Sequence, residues 1–245
     1  MKKIVVLAAF LCFVSTITMA QEPSEIRFGF QLSPSFSWMN ANTNRINPSG
    51  TNLGIKLGMF GEFYFRENYA FVSGIGFHFN SGGTLLHEYS GSYWHDTDII
   101  SGENPLSDMV KLKYSIQYVE IPVLLKMRTN EFGYIRYYIE PGFMIGIQTQ
   151  ARGKVNDPKI GGIDPDEKFD IRKEVNPLNL SWGIGGGIEY SLSANTSLIA
   201  GLGLQFGFID VNDDGQDTYI QDAQERDENS NEKINAVTLK LGIKF

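Results

Sequence analysis

The chain has 245 residues, of which 42% are hydrophobic, with a formal net charge of −7 and a single cysteine. An aromatic content of 13% excludes a disordered chain, and the acidic balance argues against a nucleic-acid partner. The 26 glycines follow no triplet period, which excludes a collagen-like chain, and the length suits one large β domain.

The first twenty residues have the pattern of a secretory signal peptide. Two lysines precede an apolar stretch at residues 4–14, and small residues ending at Ala20 form a cleavage site. This stretch is too short to span a bilayer, and a buried N-terminal helix is the alternative. Cleavage after residue 20 leaves one domain, residues 21–245, without Cys12, so no disulfide is expected.

The remaining chain is predicted to form eight β-strands, because apolar and polar residues alternate with a period of two. In the first strand, Phe28, Phe30 and Leu32 share one face, and Gly29 and Gln31 share the other. Most glycines of the chain fall on the polar face. The eight segments are residues 26–38, 53–63, 71–79, 114–128, 135–148, 178–189, 198–208 and 237–245.

The fourth segment is less regular than the others. Tyr114, Ile116 and Tyr118 set one phase, whereas Val119 begins the opposite apolar phase. A β-bulge near Tyr118 would reconcile the two phases, and Pro122 also indicates an irregularity because proline lacks a ladder donor.

The connections between these segments alternate in length. Tight turns are predicted at residues 66–68, 129–133 and 193–195, and long polar loops at residues 40–50, 80–110, 151–176 and 211–232. This alternation is typical of an all-β, eight-stranded antiparallel up-and-down transmembrane barrel of the outer-membrane type. The alternative fold is a soluble lipocalin-like carrier, whose apolar faces would point inward.

Three stretches of this sequence resemble PorT-type outer-membrane β-barrel domains. Residues 118–126, YVEIPVLLK, resemble the YxEIPxLLK stretch of that family, and YIEPG at residues 138–142 resembles the strand that follows it. The glycine-rich WGIGGGIEY at residues 182–190 also fits. The resemblance implies an eight-stranded barrel in a Gram-negative bacterium of the Bacteroidota type. Some relatives take part in protein secretion, but no residue of this chain can be matched to that role.

An eight-stranded barrel encloses a lumen that side chains can fill, and a charge in such a lumen must be paired. The polar face carries several charges, among them Glu62 and Lys244. We predict an ion-pair network in which three glutamates meet four cations. Its members are Lys56, Glu120, Lys126, Arg136, Glu140, Glu189 and Lys240. A plugged polar lumen is predicted, and a gated channel is the alternative.

The last long loop contains part of a calcium motif. Asp210, Asn212, Asp214 and Gly215 match positions 1, 3, 5 and 6 of an EF-hand-like loop, although Gln221 replaces the acid at position 12. The alternative is an ordinary polar turn. Residues 210–232 carry nine acids and one base, which predicts either a flexible solvated loop or a surface for an ion or a cationic partner.

Other candidate sites have less support. His87 and His95 with Asp98 match no zinc spacing. His78 with Ser73 or Ser81 is the pairing that a lipid-modifying enzyme would need, and the sequence contains no triad around it. We therefore predict no catalytic residue, and no cofactor other than the candidate calcium ion.

The combined prediction is an exported, non-enzymatic outer-membrane protein with a structural or interaction role through long extracellular loops. A small pore, or an accessory of secretion or transport, is the first alternative. The expected partners are outer-membrane lipids, the barrel-assembly machinery through the C-terminal strand ending at Phe245, and an extracellular protein or ion at the loops. No nucleic acid is expected, and the barrel is expected to be a monomer.

Overall fold

The computed structural model describes residues 25–97, 99, 106–157, 164 and 166–245. The predicted signal peptide, with Cys12, lies outside the described residues, as does Asp98. No helix formed by the described residues is long and apolar enough to cross a membrane. The strands are β1 Ile26–Ala41, β2 Ile46–Arg66, β3 Tyr69–His87, β4 Gly91–Ser92, β5 Val110–Arg128, β6 Ile135–Asn156, β7 Phe169–Asp170, β8 Leu178–Ser191, β9 Ser197–Gly207, β10 Thr218–Gln221, β11 Gln224–Asp227 and β12 Glu232–Lys244.

Eight of these strands close a barrel. Their order is β5-β3-β2-β1-β12-β9-β8-β6, and a β5–β6 pairing completes the ring. Each pairing in this ring is antiparallel, so the predicted eight-stranded barrel is confirmed. Short turns follow β2, β5 and β8 at one end of the barrel, which we call the turn end. The opposite end, which we call the loop end, carries the longer connections.

A belt of large apolar side chains covers the outside of the barrel. Phe28 is 62% exposed, Leu53 is 64% exposed and Leu202 is 61% exposed. At the same level the inward side chains are polar, as in the buried Ser33 and Ser35 of β1. A water-soluble carrier has the reverse arrangement, so the belt identifies a surface that faces lipid.

The inner face of the barrel changes from polar to apolar along β5. Even-numbered residues point inward throughout this strand, from Lys126 and Glu120 to the fully buried Tyr118 and Tyr114. A register shift does lie near Tyr118, between Gln117 and Tyr118 in the pairing with β6, but the side-chain phase of β5 itself is constant and the environment changes. Where β5 faces lipid, its outward side chains are apolar. Beyond the lipid, its outward side chains are polar and its inward side chains are apolar.

The neighbours of β5 carry the irregularities instead. The register between β5 and β6 shifts by one residue. Gln117 pairs with Gln150 and Tyr118 pairs with Gln148, so Thr149 is an extra residue in β6. In β3 the register shifts between His78 and Ser81, where Asn80 has a φ of 57°. Each shift adds a residue and moves the following side chains to the other face.

The loop end is a folded structure with its own hydrophobic core. Strands β2, β3, β5 and β6 continue beyond the apolar belt, and the connecting segments pack on their inner face. The prediction of a flexible solvated loop at residues 210–232 was wrong for this reason. The core consists of Met39, Ile46, Leu85, Tyr93, Trp94, Leu106, Val110, Leu112, Tyr114, Ile116, Tyr118, Ala151, Val155, Phe169, Ile171, Val175, Val211, Tyr219 and Ile234.

One hairpin in the loop end contains a strained alanine. Strands β10 and β11 pair through the two-residue turn Asp222–Ala223, where φ is 54° and 60°. Two positive φ angles define a type I′ turn, and a left-handed alanine costs roughly 1–2 kcal/mol. We expect Ala223→Gly to stabilise the hairpin by about 1 kcal/mol, measured as slower amide exchange of residues 218–227.

The matched control for this prediction is Ala194→Gly. Ala194 lies in the turn between β8 and β9 and does not have a positive φ. Glycine there gains no relief of strain and adds freedom to the unfolded chain, so this variant should be neutral or less stable. Equal effects of the two substitutions would show that the turn at Ala223 stores no strain.

Candidate functional site

Four charged side chains fill the lumen at the turn end. Lys126 Nζ lies 2.5 Å from carboxylate oxygens of both Glu62 and Glu189. Lys244 Nζ lies 2.9 Å from Glu62 and 2.8 Å from Glu189. All four side chains are 1% exposed or less. Two cations and two anions therefore alternate around a closed ring, which we call the turn-end cluster, and their charges cancel.

Tyrosine and arginine side chains complete the turn-end cluster. The Tyr64 hydroxyl donates to Glu62 at 2.5 Å and accepts a hydrogen bond from Arg128 at 2.9 Å. The ring of Tyr138 lies 4.3 Å from Lys126 Nζ, a distance suited to a cation–π contact. These contacts satisfy charges that would otherwise be costly to bury.

Two further ion pairs lie deeper in the lumen. Lys56 Nζ lies 2.8 Å from Glu120, which also contacts His78 Nδ1 at 3.0 Å. Lys240 Nζ lies 2.5 Å from Glu140. Lys56 also donates to the side chain of Gln205 at 2.7 Å. The described lumen thus holds polar side chains in specific contacts rather than an open row of like charges.

The structure brings together six of the seven residues in the predicted lumen network. Arg136 stands opposite Glu189 in the strand register, but its ion pair is with Glu131 at 2.7 Å. The prediction omitted Glu62, Lys244 and His78 from the network. The first two were identifiable as lumen-facing from the alternation, but the pattern did not show that they lie level with Lys126.

A small cavity lies between these charged layers. Its volume is about 110 Å³, and Phe60, Leu124, Gly142, Glu120 and Lys240 contribute to its lining. That volume accommodates several water molecules but is below the ~300–1,000 Å³ typical of small-molecule pockets. The cavity is therefore suited to water rather than to an organic substrate.

Glycines on the lumen face make room for this packing. A Cβ atom on Gly185 would lie 2.9 Å from the Glu140 side chain. At Gly74 a Cβ atom would lie 2.2 Å from the backbone oxygen of Met59 on the neighbouring strand. The lumen glycines thus allow both long side chains and the close approach of strands.

The loop-end core closes the barrel on the other side. Trp94 packs edge-on against Tyr114 with ring centroids 5.3 Å apart, and its indole N–H donates to the Tyr114 hydroxyl at 2.9 Å. The carboxylate of Asp217 accepts the backbone N–H groups of Trp94 and His95. Burial raises the pKa of Asp217 to about 7. Arg45 joins this region through a 3.0 Å ion pair with Glu228.

Among the described residues, which exclude Asp98, the histidines are not arranged as a catalytic or zinc site. His87 is fully buried against Tyr93, with ring centroids 4.2 Å apart, and burial lowers its pKa to about 3, which keeps it neutral. His78 contacts Glu120 through Nδ1, and its Nε2 has no hydrogen-bond partner among the described residues, so neither Ser73 nor Ser81 is bonded to it. The described residues contain no group of three or more His, Cys, Asp or Glu side chains positioned for a metal.

The residues of the calcium motif lie just beyond the apolar belt. The Asp210 Oδ1 atom accepts the backbone N–H groups of Asn212 at 3.2 Å and Glu232 at 2.9 Å. Burial raises the pKa of Asp214 to about 6, and the negative charge of Asp210 adds to this shift. Asn212 is buried rather than solvated, contrary to the predicted flexible loop.

Comparison with protein families gives one match over most of the chain. A sequence profile described as "Outer membrane protein beta-barrel domain" matches residues 19–213. Comparison with the curated proteins gives no match.

Several solved structures resemble this fold at low sequence identity. Neisserial surface protein A is 11% identical, with 91% of this chain and 98% of that chain covered and a TM-score of 0.41. The protein OprG from Pseudomonas aeruginosa is 11% identical, with 91% and 97% covered and a TM-score of 0.39. The protease OmpT from Escherichia coli is 9% identical, with 94% and 99% covered and a TM-score of 0.46.

Proposed function

The chain belongs to the outer membrane protein beta-barrel domain family, and on that premise we propose that it is a closed, non-enzymatic barrel that acts through its folded loop end. Its location is the outer membrane. Barrels of this type have short turns in the periplasm and longer connections outside, so the loop end faces the cell exterior. The apolar belt suits outer-membrane lipids as its surroundings.

The closed lumen is the observation that supports this proposal most strongly. At the turn end, four charged residues pair at 2.5–2.9 Å and are excluded from solvent. At the loop end, Met39, Ile116 and Tyr118 are at most 1% exposed. An ion crossing the barrel would have to separate the four paired charges at the turn end and displace the three buried side chains at the loop end. A structural or interaction protein needs neither step.

Conductance across a planar bilayer tests the closed lumen. We expect the refolded protein to insert without steady openings. The matched variant replaces residues 213–229 by a short glycine–serine turn, which removes much of the loop-end cover but leaves the turn-end cluster in place. It should stay closed as well. Steady openings of nanosiemens size by the unaltered protein would contradict the proposal and favour a pore.

The interaction role requires its own measurement. A rigid, folded surface suits recognition because little conformational entropy is lost on binding. The same 213–229 replacement should abolish any surface-binding or adhesion phenotype of cells that carry the protein. Heat-modifiable gel migration of the variant would verify that its barrel remains folded. Full retention of the phenotype would contradict a role for this part of the loop end.

We also propose a PorT-type relationship within the family. Of the stretch at residues 118–126, Glu120 and Lys126 point into the lumen and form ion pairs with Lys56 and Glu189. These two positions thus serve the fold of the barrel and are not tied to an activity. The stretch supports membership of the subgroup, and no secretion role is proposed from it.

A further inference from the structure

Four side-chain oxygen atoms near the start of β12 are buried without a hydrogen-bond donor among the described residues. They are Asn212 Oδ1, Asp214 Oδ2 and Glu232 Oε2, with Asn231 Oδ1 as the fourth. Asn212 is 5% exposed and Glu232 is 0% exposed, so bulk water does not solvate them. An unsatisfied buried polar group costs roughly 1–3 kcal/mol, and more when charged. Such a group therefore requires an explanation.

Hydrogen bonds to Asp210 and Ser230 hold these side chains around one segment of the chain. The Ser230 hydroxyl donates to Glu232 Oε1 at 2.7 Å, and the backbone of Ser230 also hydrogen-bonds to the Asp214 carboxylate. Glu232 and Asn212 both donate their backbone N–H groups to Asp210 Oδ1. The free oxygens thus belong to side chains held around a single segment, residues 230–232.

The positive charge of Lys233 acts on Asp210 in this segment, but no ion pair among the described residues joins a base to Asp214 or Glu232. Arg45, another base of the loop end, is engaged by Glu228 at 3.0 Å. The carboxylates of Asp210 and Asp214 lie close enough to Glu232 to repel a negative charge on it. A bound cation would remove both the repulsion and the unsatisfied oxygens.

We propose that Asn212, Asp214 and Glu232 bind a calcium ion at the loop end. Calcium takes six to eight oxygen ligands, including carboxylate, amide, backbone carbonyl and water oxygens. Two carboxylates and one amide give such a set, and their combined charge offsets that of the ion. The described residues contain no group of three or more His, Cys, Asp or Glu side chains that could hold a metal. The proposed set differs from such a group because it has two acids and its third member is the amide of Asn212.

The proposed site also accounts for the incomplete sequence motif. Asn212 and Asp214 occupy positions 3 and 5, whereas Gln221 stands where a calcium-binding helix pair carries a bidentate glutamate. Gln221 lies at the end of β10, in the hairpin. Glu232, from the first position of β12, supplies an acid that is distant in sequence but adjacent in the fold.

Calorimetric titration of the refolded full-length mature chain with CaCl₂ tests this inference. We expect one ion per chain with a dissociation constant of roughly 10⁻⁴–10⁻³ M, the range of extracellular calcium modules. Asp214→Asn and Glu232→Gln should each weaken binding by about tenfold or more, since each removes one of the two carboxylates. MgCl₂ should bind less tightly because magnesium demands a stricter geometry.

The matched control is Asp213→Asn, which removes the same charge from an exposed neighbouring side chain. Its calcium affinity should stay within about twofold of the unaltered protein, because it supplies no ligand. Absence of binding at about 10 mM calcium would overturn the inference, and so would equal losses in Asp213→Asn and Asp214→Asn.

Protection from protease gives a second measurement, independent of affinity. Calcium should slow cleavage of the loop end in the unaltered protein. Glu232→Gln should resist cleavage without calcium at least as well as the unaltered protein, because it keeps the size of the side chain and removes a carboxyl group whose charged form is disfavoured by burial, and should no longer respond to the ion. An undiminished calcium response of this variant would contradict the assigned ligand. Neither the calcium titration nor the protease measurement bears on the conductance of the lumen, so the calcium site and the closed lumen are tested separately.

Discussion

Glu62→Gln is expected to destabilise the barrel by about 3–5 kcal/mol, because it leaves two buried lysines to share the single carboxylate of Glu189, with one positive charge uncompensated. Glu62 contacts Lys126 at 2.5 Å and Lys244 at 2.9 Å, and all three side chains are excluded from solvent. Glutamine keeps the size of the side chain, so the loss of stability reflects the change in charge rather than a change in packing. Urea unfolding of the refolded protein in lipid vesicles, followed by heat-modifiable gel migration, measures the change.

The control for this prediction is Glu131→Gln. Glu131 pairs with Arg136 at 2.7 Å, but its side chain is 32% exposed, and such pairs contribute about 0–1 kcal/mol. The double variant Glu62→Gln with Lys244→Met restores neutrality in the turn-end cluster and should lose less than the sum of its single changes. Equal losses in Glu62→Gln and Glu131→Gln would contradict a special role for the turn-end cluster.

Trp94→Ala is expected to unfold the loop end while the transmembrane barrel stays closed by its hydrogen-bonded strands. The indole is 1% exposed and provides both the edge-on contact and the hydrogen bond to Tyr114. Truncation of a buried tryptophan costs about 3–5 kcal/mol. Amide exchange should therefore rise in residues 88–97 and 211–230, and slow exchange should persist in the apolar-belt segments of β1 and β12.

Ile220→Ala is the matched control for the tryptophan change. Ile220 lies in the same region on β10 and is 36% exposed, so its truncation should cost much less. Gly153 provides a further test, because a Cβ atom there would lie 2.4 Å from the Trp94 ring. Gly153→Ala should lower the stability of the loop end more in the unaltered protein than in the Trp94→Ala variant, from which the ring is absent. Loss of the whole barrel in Trp94→Ala would show that the two ends do not unfold separately.

The sequence predicted the inward and outward faces of the strands better than it predicted which charges meet. Lys126 and Glu189 were assigned to one network and lie 2.5 Å apart, whereas Arg136 from the same face pairs with Glu131 near the turn end. Alternation reports the face of a strand, but height along the barrel depends on strand tilt and stagger. Those quantities arise only when the ring closes, which is why Glu62 and Lys244 were omitted.

The loop end shows the same limit on a larger scale. Its core residues Trp94, Leu106 and Tyr219 are separated by polar residues and have no strand or helix period. A polar composition therefore predicted a solvated loop. These side chains are buried because β2, β3, β5 and β6 extend past the membrane and present an apolar inner face. That face exists only in the assembled barrel, so no local pattern could reveal what would cover it.

Period-two alternation and the length of the strands were enough to determine the barrel, its lipid-facing side and its polar lumen. The physical reason is that lipid solvates one face of every strand along its whole membrane-spanning length, so each strand carries the same local signal. The tertiary structure alone decided where that signal reverses. At Tyr118 the strand leaves the lipid, water becomes the outer solvent, and the apolar side chains move to the inside without any change in the strand itself.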